Sequence, residues 1–130
     1  MTRKEKLYEA FGELVYTVAI ADGYIQAEET EALQRLLNDH PWSKEIEWSF
    51  RYEVDNKREL KEVYEKALDT FAELGPDKEY EFMLEVLDKV AHASSGGEED
   101  EARVIHSFKK DLIARFEKDL ERLKLMLNIT

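Results

Sequence analysis

At 130 residues the chain suits one domain with a real core, and 43% hydrophobic with 38% charged residues marks it as globular and heavily solvated. It has no cysteine, which removes disulfides, thiolate metal sites and cysteine catalysis and fits a reducing, cytoplasmic setting. The net charge of −11 leaves no basic footprint for nucleic acid and would be repelled by anionic membranes; cations and basic protein surfaces are the favoured partners.

The elements follow in chain order. The opening, MTRKEKLYEAFGE, mixes glutamates with basic residues and lacks the apolar stretch of a signal peptide. The longest apolar run, Leu14 to Ala21, falls far short of the roughly 20 residues that span a bilayer, so no membrane insertion is expected. Leu7, Phe11, Leu14, Val15 and Val18 recur at steps of three and four and predict an amphipathic helix from about Thr2 to Ala21. Gly23 suits a left-handed stop after it. A second stripe, Ala32, Leu33, Leu36 and Leu37, predicts a helix over Ala27 to Asn38, with Glu28 and Glu29 in its first turn where the helix dipole favours negative charge. Asn-Asp-His-Pro ends it, and Pro41 can open a third segment.

In the stretch EIEWSFRYEV the apolar residues Ile46, Trp48, Phe50, Tyr52 and Val54 alternate strictly, as in a strand. Trp42, Ile46 and Phe50 also fall at i, i+4 steps, and a lone strand leaves its backbone unpaired. A short helix or irregular turn is the expectation for 45–54, with an edge strand pairing across a dimer as the alternative. Trp42, Trp48, Phe50 and Tyr52 crowd this segment and are candidates for an interface, although aromatics serve cores equally well.

Leu60, Val63, Tyr64, Ala67, Leu68, Phe71 and Leu74 form the cleanest helical stripe, stopped by Gly75-Pro76, and Asp77 can cap the next helix. Met83, Val86, Leu87, Val90 and Ala91 mark a fifth helix, interrupted by Ser-Ser-Gly-Gly at 94–97. Val104, Ile105, Phe108 and Leu112 continue into Phe116, Leu120, Leu123 and Leu127, one long helix or two short ones. That last stripe is heptad-like and is expected to pack on the domain, with pairing against another chain as the alternative.

Two segments match without a gap when the chain is shifted from Tyr8 onto Tyr80. Phe11 then falls on Met83, Leu14 on Val86, Val15 on Leu87, Val18 on Val90 and Ala19 on Ala91. Beyond the loop, Glu29 falls on Glu101, Ala32 on Val104, Leu33 on Ile105 and Leu36 on Phe108. The expectation is a single all-α domain over 1–130, a bundle of six or seven helices. In it two pseudo-repeated helix-loop-helix units, 7–37 and 79–109, pack together around an intervening segment 39–76.

AIADGYIQAEETEAL resembles the signature of the TerB-like family: a helix ending in Ala-Asp-Gly, a turn carrying an apolar residue, and a glutamate opening the next helix. Asp22, Gly23, Ile25 and Glu29 match it position by position, and VAHASSGGEEDEARVI stands where that family often repeats the pattern. In that second loop Glu101 matches, while Ser94 and Ser95 stand where Asp and Gly are expected. The resemblance implies an all-helical fold. It also implies a place among tellurite-resistance proteins and a domain of a membrane-anchored DnaJ-type co-chaperone. For function it implies a metal-associated or protein-interaction role in stress response, without enzymatic activity.

The chemistry follows from the acidic loops. Asp22, Glu28, Glu29, Asp100 and Glu101, with Glu98 and Glu99 beside them, could supply oxygen ligands to calcium or magnesium if the two loops meet; calcium takes about six to eight oxygens. The spacing is not that of an EF-hand, since Asp22 stands alone before its glycine. The competing structural reading makes Asp22-Gly23 turn chemistry, with Ile25 plugged into the core and Glu29 and Glu101 reaching back to free backbone N–H groups. His40, His92 and His106 show no metal-ligand spacing, and the glycines form no phosphate-binding loop. The leading expectation is a non-enzymatic interaction module acting through its acidic loops on a basic protein partner or a cation, as monomer or homodimer. The alternative is a divalent-metal binder or sensor using the loop carboxylates.

Overall fold

The computed structural model describes residues 1–94 and 96–129; Ser95, one of the two serines in the second loop, lies outside the described residues. Six helices follow one another: α1 (Arg3–Ala19), α2 (Ala27–Leu37), α3 (Ser43–Asn56), α4 (Leu60–Leu74), α5 (Tyr80–His92) and α6 (Glu98–Met126). No strand occurs among the described residues.

The helix ends carry the chemistry that their sequences favour. Thr2 caps α1, its hydroxyl accepting from the Glu5 N–H at 3.1 Å. Asp77 accepts from the Glu79 N–H at 2.9 Å just ahead of α5. The stretch 45–54 is helical, part of α3, so the strand alternative is corrected. Its alternation arises because aromatic residues sit on both faces of the helix. Ile46, Ser49, Phe50 and Glu53 face inward, while Trp48 and Tyr52 remain outside. The stretch from 98 to 126 is one continuous helix.

α1 is not the amphipathic surface helix its stripe suggests. Every residue from Ala10 to Ala19 is buried, because α3, α4, α5 and α6 all pack on it. Between the two helix-loop-helix segments, α2 lies on α5 and α1 lies on both α5 and α6; within the second segment α6 packs on α5, and it also packs on α4. Matched apolar positions are buried on both sides, among them Phe11 with Met83, Leu14 with Val86, Val18 with Val90 and Leu33 with Ile105.

The crossing of α1 and α3 depends on one missing side chain. A Cβ on Gly12 would stand 2.5 Å from the Ile46 carbonyl oxygen and 2.7 Å from Ser49 Cβ. At the same crossing the Ser49 hydroxyl donates to the Glu9 carbonyl at 2.6 Å. Backbone cannot move aside as a flexible side chain can, so Gly12→Ala should push α3 off α1. The expected loss is about 1–3 kcal/mol, measurable by chemical denaturation; an unchanged unfolding midpoint would show that α3 does not approach α1 this closely.

Candidate functional site

The two acidic loops meet. The Gln26 amide nitrogen, at the start of α2, lies 3.1 Å from Ser94 Oγ and 3.4 Å from the Gly96 carbonyl in the other loop, and 3.4 Å from Asp22 Oδ2 in its own. The Asp22 side chain lies directly against Gly97: a Cβ there would sit 2.0 Å from Asp22 Oδ2, and the backbone has φ +76°. Gly97 is therefore required twice, for its conformation and for the space it leaves. Ile25 is half-buried against the core and anchors the first turn.

Behind this junction the repeat-matched glutamates face each other. Glu29 is 1% exposed and Glu101 fully buried. Glu29 completes a capping box, its Oε1 accepting from the Gln26 N–H at 2.8 Å. The expectation that Glu101 does the same for α6 is corrected: its carboxyl turns toward Glu29. A hydrogen bond between two carboxyl groups needs a proton on one of them. With both ionised, Glu29 Oε2 and both Glu101 oxygens have no donor among the described residues. Burial is the first cause pushing the Glu101 carboxyl up to about 9; the neighbouring Glu29 adds to it and the Ser94 hydroxyl offsets part. Glu29 is pushed up as well, again mainly by burial, but the contact with Glu101 and the Gln26 N–H oppose the shift. The pair thus titrates as a unit, and burial holds its protonated form to higher pH than a free carboxyl.

The other candidate ligands lie on the rim. Glu28, Glu98 and Glu99 are exposed, and Asp22 and Asp100 are half-buried. Asp100 and Glu99 turn to Arg103, at 3.3 and 3.6 Å. Among the described residues no three carboxylate or histidine side chains converge in a geometry that could hold a metal ion. The orphaned oxygens of the buried pair are of the right chemistry for a hard cation, and Asp22 would have to leave Gln26 to join them.

The aromatic candidates separate. Phe50 is in the core, and Trp42 is half-buried with its ring stacked on Tyr8 at 5.3 Å. Trp48 and Tyr52 stay on the surface, stacked on each other at 5.6 Å, with the Arg58 guanidinium 5.7 Å from the Tyr52 ring.

Two polar clusters escaped the sequence pattern. In the first, Glu79 accepts from the Tyr8 hydroxyl at 2.5 Å and lies 3.2 Å from His40 Nε2. The His40 Nδ1 accepts from the Trp42 N–H at 3.0 Å, so the ring proton sits on Nε2 and points at Glu79. The Tyr8 bond, ahead of His40, holds the Glu79 carboxyl below its ordinary value. In the second, the buried Glu13 of α1 pairs with Lys66 at 2.5 Å and with Arg58 at 3.5 Å, while Arg58 Nε donates at 3.0 Å to the buried Glu53. Burial raises the Glu13 carboxyl, against the pull of Lys66. The one available signal was Glu13, a charge inside an apolar run; Glu53 falls seven residues after Ile46, on the same helix face.

No family model, curated protein or solved structure matches this chain.

The protonated pair sets a pH dependence with a definite sign. Glu101 binds its proton more tightly folded than unfolded, so its contribution is fully favourable below about 4.5 and is lost as pH rises toward about 9. Glu101→Gln keeps a neutral group that can donate to Glu29. It should raise stability at mildly alkaline pH by on the order of 1–3 kcal/mol and do little in mild acid. Denaturation curves across that range check it; a gain independent of pH would mean that Glu101 is not protonated in the fold.

Proposed function

We propose that the chain is a non-enzymatic interaction module of TerB-like type whose joined acidic loops meet a basic protein surface. The observation that carries this reading is the convergence of the loops. Gln26, Asp22, Ser94, Gly96 and Gly97 hold the first turns of α2 and α6 side by side, so that Glu28, Glu98, Glu99 and Asp100 form one acidic rim. An anionic rim on a chain of net charge −11 steers cationic partners and repels nucleic acid. The resemblance over residues 19–33 points to the same class and to a role in stress response; a cytoplasmic setting is part of the same proposal.

A divalent-cation reading rests on a separate observation, the orphaned oxygens of Glu29 and Glu101. A bound calcium or magnesium ion would replace the shared proton and compensate both carboxylates.

The two readings part under calorimetry on metal-stripped protein. The interaction reading expects a lysine-rich peptide to bind the acidic rim. Glu98→Gln/Glu99→Gln/Asp100→Asn should weaken binding several-fold more than Glu62→Gln/Glu65→Gln/Glu73→Gln, which removes the same charge from the exposed face of α4. Equal losses would reduce the effect to net charge and defeat the reading. The cation reading expects micromolar calcium, magnesium, manganese or zinc binding, accompanied by proton release and abolished by Asp22→Asn with Glu29→Gln in a folded protein. No heat with any of the four metals removes it.

A further inference from the structure

The second half of α6 has no partner in its own bundle among the described residues. Leu112 is the last buried residue of the helix, and the last bonds tying it to α4 are Tyr64 to Asp111 at 2.6 Å and Arg115 to Asp69 at 2.8 Å. Beyond them every described residue from Glu117 onward is exposed, and the helix carries residues 117–126 about 15 Å further. This projecting arm is not polar. Ile113, Phe116, Leu120, Leu123 and Leu127 alternate at steps of three and four, an unbroken run of a and d positions. Leu120 and Leu123 are about half exposed and Leu127 60% exposed. At the base of the arm Ile113 and Phe116 border a cleft of about 330 Å³, lined on the bundle side by Met83, Leu84 and Leu87.

The geometry points to a homodimer in which the arms of two copies of this chain pair antiparallel, Leu120 packing on Leu123 and Phe116 on Leu127 of the other copy. One feature selects the direction and a second selects the register within it. The first is position. Ile105, Phe108 and Leu112 fall at g and c of the arm's heptad, so the bundle stands beside the stripe at the base of the arm and not along it. A parallel pair would crowd both bundles at the same end of arms only about 15 Å long. Running antiparallel, the two bundles sit at opposite ends, and the tip of each arm reaches the cleft at the base of the other.

The second feature is charge. Glu117 and Lys124 both occupy e positions, which meet e positions across an antiparallel pair. In the proposed register Glu117 of each copy meets Lys124 of the other, two attractive pairs related by the dimer axis. Sliding one heptad step inward sets Glu117 against Glu117, Lys110 against Lys124 and Asp119 against Asp119. Sliding outward sets Lys124 against Lys124. Only the intermediate register joins opposite charges. The existing Lys124–Glu121 contact, at 3.4 Å, is exposed and leaves Lys124 free to turn.

Sedimentation equilibrium on the full chain tests this, with circular dichroism as the check on folding. The wild type should form a dimer at micromolar concentration. Leu120→Glu with Leu123→Glu should be a folded monomer, since both side chains are exposed within one copy. Lys124→Glu should raise the dissociation constant about tenfold, and Glu117→Lys added to it should restore the wild-type value. A wild type that stays monomeric, or a dimer indifferent to the leucine pair, overturns the proposal. If Asp119→Lys rather than Glu117→Lys rescues Lys124→Glu, the arms run parallel and the antiparallel assignment is wrong.

Discussion

A helix with no solvent face has to be covered on every side, and α1 imposes that condition on the rest of this molecule. Ten consecutive buried residues, Ala10 to Ala19, require neighbours all round, and four of the other five helices supply them. Covering α1 also buries its polar groups, and the polar clusters follow from that. Glu13 sinks with the helix and calls for cations, which come from Arg58 in the α3–α4 turn and from Lys66 on α4. Removing one partner of a buried ion pair costs far more than the intact pair contributes, so these cations matter chiefly by leaving no uncompensated charge beside α1. Tyr8 is buried in the same way and finds Glu79, which in turn engages His40. At Gly12 α1 admits another backbone, opposite Ile46 and Ser49.

The opposite policy operates at the loop junction. Around Glu13 a buried charge meets partly exposed charges of the other sign; around Glu29 and Glu101 like meets like, and the conflict is relieved by a proton. That solution keeps the site responsive. An ion pair of arginine and glutamate is insensitive to neutral pH, whereas a proton shared by two carboxyls responds to solvent pH. The junction is thus the part of the fold whose charge state can be altered from outside. The exposed acidic rim lies on the same two first turns, so any change in the pair is felt where a basic partner would dock.

How much of this was legible in the sequence depended on whether a residue's role was set by its own helix or by another. The stripes of α2, α4 and α5 were readable because one apolar face met one neighbour. α1 was misread as amphipathic because Gly12, Glu13, Tyr16 and Thr17 look like a polar face; their burial follows from α3 and α4 arriving on that side, which periodicity does not record. α3 was ambiguous because Trp48 and Tyr52 are exposed, and exposed aromatics erase the contrast between faces. Glu29 as a cap was readable locally, from its third position in α2. Glu101 occupies the matched position, yet turns to a partner 72 residues earlier in the chain, and only the packing of one loop on the other decides between these uses. The match of Glu29 with Glu101 in the offset pattern was the trace of that contact, visible as register and silent about geometry.

The two halves of α6 show why a heptad stripe does not by itself say what it covers. From Glu101 to Leu112 the apolar face is consumed by α1, α4 and α5. From Phe116 onward the same spacing runs past the end of the helices it could pack on. The side chains do not change character there; the supply of neighbours ends. A soluble monomer has no physical reason to spend leucines at three successive core-type positions on water when charged residues would solubilise the arm and hold the helix equally well. The flanking charges raise no such difficulty, since Arg122 lies 4.0 Å from Asp119 and Lys124 3.4 Å from Glu121 within one copy. The apolar stripe is the anomaly, and it disappears when a second arm lies across the first.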